Sequence, residues 1–187
     1  LRLLDEHGLG LAQIQASVEN LRPLAGAKDF LDWMHEHFQV VILSDTFYEF
    51  SQPLMRQLNW PTLLCHRPVV DGAGKVTDYT LRQQDPKRQC VTAFRGLNFR
   101  VVAAGDSYND TNMLAAADRS ILFRAPGNVI AEFPEFAVTN KLISWGPLIK
   151  SDCQISNAML VPGYIAPPGY IEPKDDGDED DQFGQHR

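Results

Sequence analysis

Three polar segments of this 187-residue chain have residue types and positions suited to phosphate chemistry. Ser44-Asp45-Thr46 directly follows an apolar run, Lys87 begins a segment of helical periodicity, and Gly105–Asp110 directly follows a second apolar run. If the two runs are parallel strands of one sheet, their carboxyl ends meet at the edge where α/β proteins bind ligands. The order of the three segments favours one shared site over three separate turns.

The pair Asp106 and Asp110 predicts a metal site. Asp106 leaves the strand end, and Asp110 follows four residues later, at or just inside the next helix. Two carboxylates suit Mg²⁺, which keeps water and substrate phosphate as its other ligands, and the helix N-terminus adds donors for an anion. The alternative is that both aspartates only cap the turn and the helix.

Ser44 and Lys87 predict a phosphate site beside the metal site. The Ser44 hydroxyl and the backbone N–H groups after it can bind phosphate oxygens, and the Lys87 ammonium can neutralise a transferring phosphoryl group. Each residue alone has a simpler explanation, because a serine at a strand end usually serves the turn and a lysine in a first helical turn usually faces solvent.

Alternating strand and helix patterns position these segments. Short apolar runs typical of buried strands occupy residues 40–43, 62–65, 99–104 and 120–123. Helical periodicity lies between them, including a helix over about residues 51–58 with Pro53 in its first turn. The alternation predicts an α/β fold with parallel strands and right-handed crossovers.

Residues 139–187 differ in character from the rest of the chain. They show no sustained periodicity, and residues 171–187 carry −5 of the formal net charge of −7. The sequence therefore predicts a divergent, flexible tail, and its acids lack the ordered ligand spacing of a calcium loop. The remaining residues carry only −2 and no basic stripe, which argues against nucleic acid as the main partner.

Composition also bears on the compartment. No run approaches the roughly eighteen apolar residues of a membrane span, and no basic and then apolar leader opens the chain. Cys65, Cys90 and Cys153 are widely spaced and indicate neither a disulfide framework nor a zinc site. We therefore expect a cytoplasmic protein with no membrane partner, and the oligomeric state stays open.

The three polar segments resemble the second, third and fourth motifs of the haloacid dehalogenase superfamily: residues 41–44, Lys87 and residues 105–110. Longer stretches, at residues 44–50, 53–58 and 85–89, are similar to its phosphoserine phosphatases, some of which also transfer the phosphoryl group to homoserine. The resemblance covers about residues 1–136. It implies two units, the second half of a small helical cap (1–22) and a three-layer Rossmann-like core lacking its first strand (23–138), and beyond them lies the disordered acidic tail predicted from composition (139–187).

The resemblance also implies a reaction and its residues. The reaction is Mg²⁺-dependent hydrolysis of O-phosphoserine through an aspartyl-phosphate, within serine and threonine biosynthesis, with water or homoserine as acceptor. Ser44 would bind the phosphoryl group, Lys87 would neutralise it, and Asp106 would ligate Mg²⁺, with Asp110 supporting the metal or Lys87. Further candidates for substrate or phosphate contacts are Asp45, Thr46 and Asn109.

The first motif of that family, an apolar strand followed by Asp-x-Asp or Asp-x-Glu, is not recognisable in the sequence. Asp5 follows leucines, but only four residues precede it, and His7 stands where the second acid belongs. We therefore expect the nucleophile to lie upstream of Leu1 and the chain alone to be inactive. The competing hypothesis is a non-catalytic phosphate-binding or interaction module. A receiver-like phosphoacceptor domain would carry its acidic residues early in the chain. In this sequence the acidic pair comes last of the three polar segments, which disfavours that fold.

Overall fold

A seven-stranded sheet forms the centre of the molecule. The structure, a computed structural model, describes residues 1–142 and the strand at 158–162. The strands are β1 (Gln39–Phe47), β2 (Thr62–Val70), β3 (Val76–Thr80), β4 (Arg100–Gly105), β5 (Arg119–Phe123), β6 (Ala137–Thr139) and β7 (Ala158–Pro162). Their order is β3-β2-β1-β7-β4-β5-β6. All neighbours are parallel except β2 and β3, so the predicted α/β fold is confirmed.

Seven α-helices accompany these strands within the described residues. They are α1 (Arg2–Glu6), α2 (Leu11–Glu19), α3 (Ala27–His37), α4 (Tyr48–Gln57), α5 (Pro86–Gly96), α6 (Thr111–Ala116) and α7 (Gly127–Glu132). A short 3₁₀ turn, Tyr108–Asp110, precedes α6. In this part of the chain, no helix has both the length and the apolar character needed to cross a membrane.

The sheet lies between two helical layers because side chains alternate along β1. Val41 and Leu43 belong to a core with buried residues of α5, α6 and α7. Val40 packs in a second core with Leu31 and Met34 of α3, and Ile42 packs with Leu54 and Met55 of α4. Each fully buried aliphatic side chain of this kind stabilises the fold by about 1.5–3 kcal/mol. Helices of both layers therefore pack directly against β1.

Helix α4 begins earlier than the sequence predicts, at Tyr48, so Pro53 lies in the helix interior and not in its first turn. Proline has no backbone N–H, and the Glu49 carbonyl therefore loses its usual partner four residues on. The side chain of Gln15, on α2, donates to that carbonyl at 2.7 Å. This hydrogen bond joins the N-terminal helices to the core, although the interpretation of residues 1–22 as part of a cap stays a prediction.

Strand β1 also runs further than predicted. Regular pairing with β2 joins Leu43 to Leu64 and then resumes with Phe47 opposite His66, so the register shifts between Leu43 and Phe47. Ser44, Asp45 and Thr46 lie in this shift and not in a turn after the strand. The irregularity frees their polar groups from the ladder, as bulges next to binding sites commonly do.

The sequence predicts a flexible tail over residues 139–187, but the structure has a strand at residues 158–162. Strand β7 lies between β1 and β4, in the middle of the sheet. The run Ala158–Val161 is short and ends at Pro162, and it gains its partners from strands more than fifty residues away in sequence. A strand stabilised by distant partners gives little local signal. The predicted flexible acidic run at 171–187 lies outside the described residues.

Candidate active site

The predicted site residues gather at the carboxyl ends of β1 and β4, with Lys87 reaching them from the first turn of α5. The Lys87 ammonium nitrogen lies 2.8 Å from Asp45 Oδ2 and 2.8 Å from Asp110 Oδ1. Lys87 is only 7% exposed, so the alternative of a solvent-facing lysine was wrong. Burial lowers its pKa, but the charges and hydrogen bonds of Asp110 and Asp45 outweigh burial and raise it. Lys87 therefore stays charged.

Asp110 links Lys87 to the loop after β4. It is 1% exposed, and its Oδ2 accepts hydrogen bonds from the Asp106 N–H (3.0 Å), the Ser107 N–H (3.3 Å) and the Ser107 hydroxyl (3.3 Å). The sequence predicts donors for an anion at this helix start, but the structure gives these donors to Asp110. Asp110 thus caps the loop and pairs with Lys87 at once.

Gly105 permits this arrangement. A Cβ atom added to Gly105 would lie 2.6 Å from both Cγ and Oδ2 of Asp110, which is closer than real Cβ atoms approach other atoms. The glycine before Asp106 therefore lets the Asp110 carboxyl pack directly against the backbone of β4. This close approach explains why glycine precedes the acid in the sequence.

Asp106 has the most perturbed carboxyl group of the site. Burial, and then the charge and hydrogen bond of Asp110, raise its pKa from 3.8 to about 6. Two neighbouring carboxylates repel each other when both are ionised, and a bound cation offsets this repulsion. Within the described residues, no group of three or more His, Cys, Asp or Glu side chains is arranged to hold a metal ion. Asp106 is the carboxylate that fits Mg²⁺ here, because both oxygens of Asp110 are engaged by Lys87 and the loop and because Mg²⁺ takes water and phosphate at its remaining positions.

Ser44 and Thr46 flank Asp45 in the irregular part of β1. Ser44 is 8% exposed, and its Oγ accepts a hydrogen bond from the Thr46 N–H at 3.3 Å. That N–H, which the sequence predicts as a phosphate donor, is thus engaged within β1. Asn109 is exposed on the 3₁₀ turn. Asp5 lies on α1, where it forms an exposed ion pair with Lys75.

Sequence reasoning missed His66 and Arg82. His66 is 5% exposed on β2; its Nε2 lies 4.0 Å from Asp45 Oδ1, and its Nδ1 accepts the Arg82 N–H at 3.1 Å. The predicted strand ended at Cys65, so a search for polar residues directly after strands would have included His66. Cys65 itself is a free buried thiol whose pKa burial raises to about 12, so it is inert.

A comparison with family models matches residues 4–115 to the haloacid dehalogenase-like hydrolases. The chain belongs to this family. A phosphoserine phosphatase of Pseudomonas syringae pv. tomato is 60% identical over 161 residues, which cover 86% of this chain and 67% of the relative. The phosphoserine phosphatase ThrH of Pseudomonas aeruginosa is 65% identical over 136 residues, which cover 73% of this chain and 66% of the relative. The chain thus spans about two thirds of the length of these relatives.

Solved structures share the fold. A phospho-aspartyl intermediate analogue of phosphoserine phosphatase aligns with a TM-score of 0.63 at 21% identity, covering 76% of this chain and 71% of that one. An apo form of phosphoserine phosphatase aligns with a TM-score of 0.64 at 21% identity, covering 76% and 74%. At this identity the likeness concerns the fold alone, and it agrees with the three-layer core.

Proposed function

We propose that this chain forms the phosphate and metal subsites of a Mg²⁺-dependent phosphoserine phosphatase, a phosphoric monoester hydrolase acting on O-phosphoserine. The observation that carries the proposal is the buried Lys87 ammonium, held 2.8 Å from both Asp45 and Asp110 at the strand-end edge where Ser44 and Asp106 also lie. The names of the two Pseudomonas relatives support the substrate.

Each residue has a role set by its surroundings. The Ser44 hydroxyl donates to a phosphoryl oxygen, and Lys87 neutralises the charge of the transferring group. Asp106 would be the main Mg²⁺ ligand, with Asp110 supporting the site through Lys87 and the loop after β4, and Mg²⁺ would supply positive charge to the phosphoryl oxygens. Asp45 does not bind phosphate itself, because a carboxylate repels phosphate, and it acts by pairing with Lys87. Thr46 and Asn109 make weaker contacts with the substrate.

The nucleophile is the part of the mechanism that these residues do not supply. Asp110 is fixed by Lys87 and the loop, and Asp45 is paired with Lys87. The carboxyl end of β7 carries Pro162, followed in the sequence by Gly163 and Tyr164. We therefore propose that an aspartate from outside the 187 residues forms the aspartyl-phosphate, and that the chain alone does not turn over substrate.

The same proposal covers the setting of the reaction. Phosphoserine hydrolysis belongs to serine biosynthesis, and transfer to homoserine would extend it to threonine biosynthesis. Cys65 and Cys90 are buried free thiols, which fits a reducing compartment such as the cytoplasm.

The test compares the chain alone with a version extended at its amino terminus by an apolar strand and an Asp-x-Asp motif. We expect phosphoserine hydrolysis with Mg²⁺ only from the extended protein, and its loss by at least about a hundredfold on Asp106→Asn. Full turnover by the extended Asp106→Asn variant contradicts the assignment. Phosphate binding without any turnover by the extended protein favours a non-catalytic phosphate-binding module instead. Adding homoserine and measuring O-phosphohomoserine decides the acceptor.

A further inference from the structure

The two carboxylates that pair with Lys87 differ in how firmly they are held. The Asp110 side chain is 1% exposed and anchored by the loop after β4, whereas the Asp45 side chain is 49% exposed. One oxygen of each carboxylate, Oδ2 of Asp45 and Oδ1 of Asp110, lies 2.8 Å from the Lys87 ammonium nitrogen. A phosphate oxygen that approaches Lys87 from solvent can therefore displace Asp45, but not Asp110.

A displaced Asp45 would lie beside an incoming phosphate, and like charges at short range repel each other. The site thus needs a donor that draws the Asp45 carboxylate aside. His66 is the neighbour in position to do this, because its Nε2 lies 4.0 Å from Asp45 Oδ1, the oxygen that does not face Lys87. At this distance the two groups form no hydrogen bond. A rotation of the Asp45 carboxyl group toward His66 Nε2 would bring them within hydrogen-bond distance.

The hydrogen bond at Nδ1 of His66 determines which tautomer the ring adopts. Nδ1 accepts the backbone N–H of Arg82 at 3.1 Å, and an accepting nitrogen carries no proton. The neutral ring therefore has its proton on Nε2, the nitrogen that faces Asp45. At 5% exposed, and with its ring centroid 6.1 Å from that of Phe47, His66 is also held in place by packing.

We propose that His66 is a positioning residue: its Nε2–H takes up the Asp45 carboxylate when a phosphate group replaces Asp45 on Lys87. This inference rests on the proposed phosphate site, and it assigns the residues that exchange partners there. In the free chain Asp45 neutralises the buried Lys87, and in the loaded site phosphate does so while His66 holds Asp45 away.

Inorganic phosphate is the probe, with binding to the 187-residue chain measured by calorimetry. In His66→Asn the shorter amide keeps an acceptor for Arg82 but does not reach Asp45, and we expect phosphate binding to weaken about tenfold. In His66→Gln the amide N–H reaches further, and we expect phosphate binding within about threefold of wild type. Equal weakening by both variants overturns the proposal.

A double-mutant cycle separates positioning from packing. In the Asp45→Asn background no carboxylate competes with phosphate, so we expect His66→Asn to change phosphate affinity less than about twofold. A packing role predicts the same loss in both backgrounds, together with a lower melting temperature, and that result overturns the proposal. Because His66→Gln keeps a side chain of similar length, it provides a folded variant if His66→Asn unfolds.

The outcomes also distinguish this inference from the proposed function. Phosphate binding that depends on Lys87 and His66, without phosphoserine turnover by the extended protein, removes the phosphatase assignment and leaves the role of His66 standing. Turnover by the extended protein with unaltered His66→Asn kinetics removes the role of His66 alone. If the chain binds no phosphate, the inference fails.

Discussion

The ends of β1 and β4 differ from the end of β7, although the three strands are neighbours in the sheet. β1 and β4 carry Ser44, Asp45 and Asp106, whose polar groups join Lys87 and Asp110 at one edge. β7 lies between them, pairs with β4 over Ala158–Pro162 but with β1 only at Met159 and Leu160, and ends in proline. The flanking strands thus carry the chemistry, and the central strand completes the ladder.

The largest effect on stability is expected when β7 is removed. We expect a chain ending at Asn157 to lose several kcal/mol of its unfolding free energy, about half or more of that of a typical domain, because backbone groups of β1 and β4 lose their partners. Urea unfolding followed by circular dichroism measures the effect. A chain ending at Pro162, which keeps β7 but lacks the acidic run, is the control and is expected to match the full chain. Equal stability of both truncations would show that β7 contributes nothing.

The next largest effect concerns the buried ion pair. Asp110→Ala leaves the Lys87 charge without its fully buried partner, and we expect a loss of about 3–5 kcal/mol in unfolding free energy together with loss of phosphate binding. The matched control is Asp5→Ala, which breaks an exposed pair with Lys75 of the same 2.8 Å length and is expected to leave the unfolding free energy almost unchanged, because water screens the two charges. Similar losses in the two variants would mean that burial does not distinguish the pairs.

The same comparison shows what the sequence could predict. Ser44 and Gly105–Asp110 were identified because each directly follows an apolar run, and Lys87 because it begins a helical segment between them, and these are local signals. β7 escaped prediction because its partners are distant in sequence. His66 also follows an apolar run directly, but the sequence alone does not show that Asp45 is its neighbour. Pro53 was misplaced because Gln15, from another helix, compensates for its missing N–H. In each case the deciding partner lies elsewhere in the chain.

A smaller effect is expected at Gly105. Gly105→Ala places a methyl group against the Asp110 carboxyl, and we expect about 1–3 kcal/mol of destabilisation and weaker phosphate binding as Asp110 moves away from Lys87. Gly96→Ala, in α5, adds a methyl group with nothing within 4 Å, and helix propensity predicts a gain of up to about 1 kcal/mol. The two variants have the same chemistry at differently crowded positions, so parallel changes in stability would contradict the packing of Asp110 against β4.

The smallest effect is the pH dependence of Asp106. Its folded-state pKa of about 6 exceeds its ordinary value of 3.8, so the folded chain binds the extra proton, and the contribution of Asp106 to stability is fully present below about pH 4 and is lost as pH rises through 6. As pH rises through 6, wild type should lose on the order of 1 kcal/mol of unfolding free energy relative to Asp106→Asn, less than the full pKa shift implies because the carboxyl is partly exposed. Excess Mg²⁺ at pH 7 should raise the unfolding free energy of wild type by a similar amount and leave that of Asp106→Asn unchanged, because only the carboxylate provides the cation with a ligand. Parallel pH profiles for the two proteins would remove Asp106 as the strained group, and with it the physical reason for a cation at this end of β4.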